Sequence, residues 1–218
     1  MREGMDSMML NENCPCKKTN VNVMVNVTNV ENITQSLKDR GRVKFLKRCE
    51  SSDLDFNKIT EFYKYVINNT KGMSECGRWI YGQHPTDEMI KSYIDSDSMY
   101  YMEEDGNIIA AVAVTFCQGE DYHGVHWSKN FHDDEVAVVH ILCVDPKKQK
   151  GGLAKEVMAE IVNMAKVNNK KAVRLDALCC NTPAHRLYES IGFKKCDVQN
   201  WYASNTGWID FYMYEYDF

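Results

Sequence analysis

Hydrophobic and polar residues follow regular periods from about residue 43 to the end of the chain. SMYYMEE and NIIAAVAVTF, separated by Asp105 and Gly106, predict a β-hairpin over residues 98–116. VAVVHILCV, residues 136–144, is a nearly continuous apolar run, which is typical of a strand buried on both faces. Further strands are predicted at 43–49, at AVRLDAL, and at two aromatic runs over 193–202 and 208–217.

Apolar residues at helical spacing predict four helices between these strands. Asp53 can cap the first helix, and a second, short helix is expected over 85–94. A long helix runs from Gly152 to about Asn168, and the fourth, TPAHRLYESI, is closed by Gly192. The expected buried positions are Leu54, Ile59, Phe62, Tyr63 and Val66 in the first helix, and Leu153, Val157, Ile161, Met164 and Ala165 in the long one.

The predicted order is strand, two helices, three strands, helix, strand, helix and two strands. Hairpins come first and strand-helix-strand units come later. This order predicts an α/β fold in which helices pack on a central mixed sheet.

Residues 1–42 differ in composition from the rest, and NVNVMVNVTNVEN at 20–32 is low in complexity. We expect a mobile N-terminal extension over 1–42 and one domain over 43–218. Cys14 and Cys16 form a pair without the second pair that a closed zinc site needs, so no metal is expected there.

Composition excludes several classes of protein. The net charge of -5 over 218 residues argues against nucleic-acid binding driven by phosphate contacts. No apolar run reaches the ~18 residues of a membrane span, and the N-terminus lacks the apolar core of a signal peptide. Nine cysteines, scattered and odd in number, fit reduced thiols. We therefore expect a cytoplasmic protein without a nucleic-acid or membrane partner.

The stretch DPKKQKGGLAKEVM, residues 145–158, places a glycine pair and lysines directly before the long helix. Backbone N–H groups at a helix N-terminus bind phosphate, and glycine lets the anion approach closely. The P-loop and G-x-G-x-x-G patterns are both absent. From the residues alone, a phosphate site and a plain turn both remain open.

Two motifs resemble the GNAT superfamily of acyl-CoA-dependent N-acyltransferases. Residues 149–154, QKGGLA, match its [RQ]-x-x-G-x-[GA] signature, and NTPAHRLYESIGF at 181–193 is similar to the segment after its fifth strand. The resemblance covers residues 43–218. It implies a GNAT-like mixed, mostly antiparallel sheet flanked by helices, and transfer of an acetyl group from acetyl-CoA, as cosubstrate, to a small-molecule amine by direct attack.

The resemblance also implies the cofactor-binding residues. Backbone groups of Leu142 and Val144 would pair with pantetheine, and Cys143 would neighbour the thioester. The amides that would hold the pyrophosphate are those of Lys150, Gly151, Gly152, Leu153, Ala154 and Lys155. Gln149, the first residue of the matched signature, is also among the cofactor-binding residues. Asn181 would reach the pantetheine amides, although it is equally a good helix cap.

Two residues are candidates for catalysis. Tyr188 matches the family's general acid, and its spacing from Ala184, Leu187 and Ile191 also fits a buried helix face. His140 is the candidate base, because an imidazole with a pKa near 6.5 can take a proton at neutral pH. Strand alternation puts it on one face with Val138 and Leu142. A histidine satisfied by a backbone group is the alternative.

The loop at 119–135 carries three histidines and several carboxylates, and the resemblance places it beside the acceptor groove. Tyr122 and Trp127 are the predicted substrate contacts. These residue types also occur in solvated loops, so no metal is expected. The alternative function is a non-catalytic acyl-CoA sensor or regulatory module, and association into a homodimer is left open.

Overall fold

The structure is a computed structural model, and it describes residues 46–218. The predicted N-terminal extension, its cysteine pair and its valine-rich stretch lie outside the described residues. So do residues 43–45 of the first predicted strand.

Seven strands and four α-helices follow one another in the predicted order within the described range. They are β1 Lys47–Arg48, α1 Asp53–Asn69, α2 Asp87–Asp95, β2 Met99–Glu104, β3 Asn107–Thr115, β4 Val136–Val144, α3 Leu153–Val167, β5 Ala172–Leu178, α4 Thr182–Ser190, β6 Lys194–Ala203 and β7 Gly207–Asp217. The hairpin and the boundaries of β4, α3 and β5 agree closely with the sequence pattern. A short irregular helix, Met73–Gly77, lies between α1 and α2.

The strands form one sheet in the order β1-β2-β3-β4-β5-β7-β6. Every neighbouring pair is antiparallel except β4 and β5, which are parallel. Their pairing covers only Val136–Val138 against Ala172–Arg174. Both strands continue several residues further, so they separate toward their carboxyl ends and leave an opening within the sheet.

Helices cover both faces of the sheet. α3 and α4 pack on one face, which we call the α3/α4 face, through residues such as Val157, Ile161 and Tyr188. α1 and α2 pack on the opposite face, the α1/α2 face, through residues such as Ile59, Tyr63 and Ile90. A third cluster around Tyr122, Val138 and Met213 continues the α1/α2 face beyond β4.

A β-bulge interrupts β4 just before its end. Ala113 pairs with His140 and Ala111 pairs with Cys143, so one residue of β3 faces two of β4. Ile141 adopts a positive φ of 44° at this point. The extra residue reverses the side-chain alternation, and the prediction that His140 and Leu142 share a face is therefore wrong.

The predicted buried positions of α1 and α3 are confirmed except for one residue in each helix. Ser52, not Asp53, caps α1, because its hydroxyl accepts the Asp55 N–H at 3.2 Å. Leu54, predicted as buried, is 65% exposed. In α3 the buried residues are Leu153, Val157, Met158, Ile161 and Ala165, so Met158 replaces the predicted Met164.

The cysteines of the described range are free thiols. Among the helices of residues 46–218, none combines the length and the apolar character that crossing a membrane requires.

Candidate active site

The separation of β4 and β5 opens a cavity of about 1070 Å³. The last residues that pair between β4 and β5 are Val138 and Arg174, and the two strands run on to Val144 and Leu178 without pairing with each other. All of the predicted cofactor-binding residues line this cavity, and so do Tyr188 and His140. The fold thus brings together residues from β4, α3, β5 and α4 that are far apart in sequence.

One wall of the cavity is an open strand edge. The Asp145 N–H donates to the Ile109 carbonyl on β3 at 2.8 Å. Because backbone groups alternate in direction along a strand, those of Cys143 also face β3, and those of Leu142 and Val144 face the cavity. An extended chain bearing amides can therefore add to β4 here as a strand would.

The N-terminus of α3 provides the second wall. Gly152 caps the helix with a φ of +90°, and a Cβ built on it would meet nothing within 4 Å. The first amides of an α-helix have no partner within the helix, and they carry the positive end of its dipole. The turn thus combines a backbone conformation suited to glycine with open space beside the first amides of α3, which suits an incoming anion. The Lys155 N–H already donates to the Gly152 carbonyl at 2.9 Å.

Three lysines add positive charge to this end of the cavity. Lys148, Lys150 and Lys155 all contribute to its lining. Lys148 also forms an ion pair with Glu104, so part of its charge is already compensated. The lysines and the helix dipole together make this end the one suited to a diphosphate.

Asn181 caps α4, as the sequence allowed. Its side-chain oxygen accepts the Ala184 N–H at 3.4 Å. It also lines the cavity. Capping orients its side chain at the cavity wall, so the two predicted roles are compatible.

Tyr188 is buried, with its side chain packed between Phe193 and Tyr214. It belongs to the core on the α3/α4 face and also lines the cavity. Burial, followed by the charge of Asp176, raises the pKa of its hydroxyl. The phenol is therefore protonated at neutral pH and can donate a hydrogen bond or a proton.

His140 lies on β4, with its ring stacked on Tyr93 at 5.4 Å between centroids. Its Nε2 is 3.2 Å from the Thr115 hydroxyl, which donates its one hydrogen to the Cys117 carbonyl. The hydroxyl oxygen is then left to accept, so Nε2 carries the hydrogen and Nδ1 is the free acceptor. Burial, with a smaller effect of His84, lowers the pKa of His140 to about 4. The expected ordinary pKa near 6.5 is wrong, and the ring is neutral at pH 7.

Asp176 on β5 is a cavity residue that the sequence reasoning missed. Its carboxylate accepts the Tyr122 hydroxyl at 2.6 Å. Burial raises the pKa of Asp176, and the hydrogen bond from Tyr122 partly opposes that shift. The signal was present in AVRLDAL, where two charged residues at alternate positions interrupt an otherwise apolar strand.

Tyr122 and Trp127, the predicted substrate contacts, do not line the large cavity. Their rings stack at 5.5 Å, and the Trp127 indole donates to the Tyr122 carbonyl. Both line a separate pocket of about 420 Å³ next to the buried Arg174, whose guanidinium lies 4.4 Å from the centre of the Trp127 ring. Of the two, Tyr122 reaches the cavity indirectly, through its hydrogen bond to Asp176.

Two histidines of the 119–135 loop pair with carboxylates. His123 contacts Asp133 at 2.9 Å, and His126 contacts Asp197 at 3.1 Å. Within residues 46–218, no three His, Cys, Asp or Glu side chains converge as a metal site requires. Burial raises the pKa of Cys143, so its thiol beside the cavity is protonated at neutral pH.

Comparison with protein families gives a match to the Acetyltransferase (GNAT) family over residues 68–193. Mycothiol acetyltransferase from Actinosynnema mirum is 39% identical over 79 residues, which cover 35% of this chain and 26% of that protein. N-acetylaspartate synthetase from Danio rerio is 30% identical over 142 residues, covering 60% of this chain and 49% of that protein. The chain thus spans from about a quarter to about half of the length of these curated relatives.

Solved structures share the fold. A GNAT-family acetyltransferase from Streptococcus agalactiae superposes with a TM-score of 0.60 at 15% identity, over 79% of this chain and 95% of that one. The protein yncA from Salmonella typhimurium, solved with its cofactor acetyl-CoA, gives a TM-score of 0.57 at 15% identity, over 81% and 94% of the two chains. At these identities the likeness concerns architecture alone.

Proposed function

The chain belongs to the GNAT family of acetyltransferases, and on that basis we propose that it transfers the acetyl group of acetyl-CoA to the amine of a small molecule. The single observation that supports this most strongly is the cavity between β4 and β5. The N-terminus of α3, the open edge of β4 and the buried Tyr188 all line this one continuous space.

The residues present fit acetyl-CoA. The diphosphate would lie on the amides from Lys150 to Lys155, where the dipole of α3 and the lysines favour negative charge. Pantetheine would extend along the free backbone groups of Leu142 and Val144. This arrangement would direct the thioester toward the inner end of the cavity, where β4 and β5 meet.

Tyr188 is suited to act on the leaving group. A thiolate that departs into a buried site needs a proton or a hydrogen bond, since an unpaired buried charge is costly. Tyr188 lines the cavity, and its hydroxyl is protonated at neutral pH. We assign it as the general acid that donates to the CoA sulfur.

The acceptor would enter from the α1/α2 face, beside His140. An alkylamine with a pKa near 10.4 is an ammonium ion at pH 7, and freeing its lone pair costs about 4 to 5 kcal/mol. The neutral His140 ring can accept a hydrogen bond from the amine through Nδ1. We therefore propose that His140 orients the amine for direct attack on the acetyl carbon.

The proposal is tested with purified protein, acetyl-CoA and four primary amines of differing charge, namely aspartate, glucosamine, spermidine and tyramine. Binding of acetyl-CoA is measured by calorimetry, and turnover by the release of free thiol. We expect binding without any amine, and thiol release that depends on at least one of them. Binding without release in every mixture would instead favour the non-catalytic acyl-CoA sensor, and no binding would refute both functions.

A further inference from the structure

Asp176 is a carboxylate in the cavity wall to which the mechanism above gives no role. It lies on β5 two residues beyond Arg174, the last residue that pairs with β4. Leu175 and Ala177 pack into the core on the α3/α4 face. By strand alternation, Asp176 therefore faces the α1/α2 side, the side from which the acceptor would enter. A half-buried carboxylate thus stands where the two strands separate.

Tyrosine side chains surround this carboxylate. The Tyr122 hydroxyl donates to its Oδ1 at 2.6 Å, which holds the carboxylate in one orientation. Burial first, and then the negative charge of Asp176, raise the pKa of Tyr93, Tyr122 and Tyr188. The titratable or charged groups on the elements around Asp176 are Tyr93 on α2, Tyr122 in the 119–135 loop, His140 on β4, Tyr188 on α4, Arg174 on β5, and His84 beside His140.

We propose that Asp176 binds the acceptor as an ammonium ion and takes its proton before the amine attacks the thioester. The inference rests on the proposed function and deepens it. It defines the acceptor as a cationic primary amine, and it makes Asp176 a catalytic residue and Tyr122 a positioning residue. A cation is the natural ligand of a carboxylate in a partly desolvated wall, because each charge compensates the other.

The choice between Asp176 and His140 as the proton acceptor follows from charge. If His140 took the proton, a buried imidazolium would remain, and the pKa of about 4 for this ring reflects how strongly burial disfavours that state. If Asp176 takes it, an ammonium and a carboxylate become an amine and a carboxylic acid, and no charge remains buried. Burial also raises the pKa of Asp176, which makes it a stronger base than an exposed carboxylate.

The proton inventory of the reaction balances. The ammonium passes one proton to Asp176, and the freed lone pair forms a C–N bond to the acetyl carbon. The C–S bond breaks as the Tyr188 hydroxyl gives its proton to sulfur. The resulting tyrosinate takes the surplus N–H proton, which leaves a neutral amide. Asp176 then releases its proton to water, so the net products are the amide, CoA thiol and one proton.

The two proton transfers are coupled through the charge of Asp176. In its ionised form this carboxylate raises the pKa of Tyr188. Once Asp176 has taken the ammonium proton, that contribution disappears and the Tyr188 hydroxyl becomes a stronger acid. Tyr188 is thereby activated at the point when the amine is ready to attack.

The test compares the wild type with Asp176→Asn, which keeps a side-chain oxygen that can accept the Tyr122 hydroxyl. The readout is kcat/KM against pH, with the alkylamine of the panel that the wild type acetylates. Ionised Asp176 with a protonated amine contains the same number of protons as protonated Asp176 with a neutral amine, so the ratio of these two states does not depend on pH. The wild-type value should therefore be level between the pKa of Asp176 and that of the amine. The variant can react only with the neutral amine, whose concentration rises about tenfold per pH unit below the pKa of the amine. The kcat/KM of the variant should therefore rise by the same factor, and at pH 7 it should be about 10²-fold or more below that of the wild type.

Two controls separate a proton-transfer role from a structural one. Aniline is neutral at pH 7 and needs no base, so any activity on aniline should fall far less in Asp176→Asn than activity on the alkylamine. Acetyl-CoA affinity should be unchanged. Tyr122→Phe removes a hydrogen bond that lowers the pKa of Asp176, so it should move the acidic limb of the profile to higher pH.

A level profile with near wild-type kcat/KM in Asp176→Asn would overturn the inference while leaving the proposed function intact. If Asp176→Asn does not fold, the dependence of kcat/KM on pH in Tyr122→Phe tests the inference instead. An acidic limb at the same pH as in the wild type would then count against Asp176 as the proton acceptor. Absence of thiol release by the wild type itself would instead refute the proposed function and, with it, this inference.

Discussion

Replacing Gly152 by Asp or by Asn separates the effect of charge from that of shape at the proposed diphosphate site. The residue has a φ of +90°, which strains any side chain, but Asn and Asp are the residues that best tolerate this region. A Cβ here meets nothing within 4 Å, so either side chain points into the space that the diphosphate would occupy. The two variants share their backbone strain and nearly their size, and they differ by one negative charge.

The expected difference follows from Coulomb's law. A carboxylate about 5 Å from one phosphate charge is repelled by roughly 3 kcal/mol at an effective dielectric constant of about 20, and by about 1 kcal/mol in bulk water. Acetyl-CoA should therefore bind Gly152→Asp about 5- to 150-fold more weakly than Gly152→Asn.

Calorimetric titration of both variants, after their melting temperatures have been compared, measures this ratio. Added salt should reduce it, because exposed charges are screened. Equal affinities of two folded variants would refute the placement of the diphosphate at the N-terminus of α3.

Two further predictions concern titrating groups. His140→Ala should lower kcat/KM by about tenfold at every pH from about 6 to 9, because a ring with a pKa of about 4 stays neutral across that range. A rise of about tenfold per pH unit in this variant would instead identify His140 as the base. For stability, hydrogen bonds led by the His126 N–H lower the pKa of Asp197 to about 2, so its contribution is present above about pH 4 and is lost as the pH falls toward 2. The melting temperatures of the wild type and Asp197→Asn should therefore converge over that interval, and a constant difference would show that Asp197 does not stabilise through its charge.

The order and type of the elements could be predicted from the sequence because their patterns are local. Asp105 and Gly106 both adopt positive φ, as the tight turn between β2 and β3 requires. The stripe of α3 is buried almost as its spacing predicts. The failures lie where a non-local contact decides the outcome. Leu54 fits the stripe of α1 but is exposed, and it lies outside the cluster through which this helix packs on the sheet.

The bulge at Ile141 was not predictable from alternation, since an extra residue in β4 is specified by its pairing with β3. Its effect is to turn Leu142 toward the α3/α4 face while His140 stays with Tyr93. The substrate contacts at Tyr122 and Trp127 stay predictions; both residues line the smaller pocket and not the large cavity, because local sequence does not determine how their loop folds. Asp176 was missed because the separation of β4 and β5, which exposes it to the cavity, is a property of the sheet.

The measurement that tests the central claim most directly is amine-dependent thiol release from acetyl-CoA by the wild type and by Tyr188→Phe. The substitution keeps the ring that packs against Phe193 and Tyr214 and removes only the hydroxyl, so stability should change by about 1 kcal/mol at most. Tyr214→Phe is the matched control, because its hydroxyl bonds to His185 and Glu189 in the same core. We expect Tyr188→Phe to bind acetyl-CoA as the wild type does and to release thiol about 10²-fold or more slowly, with Tyr214→Phe close to the wild type. Equal thiol release by the wild type and Tyr188→Phe would contradict the assignment of Tyr188 as the general acid, and binding without release by the wild type would contradict the enzymatic function itself.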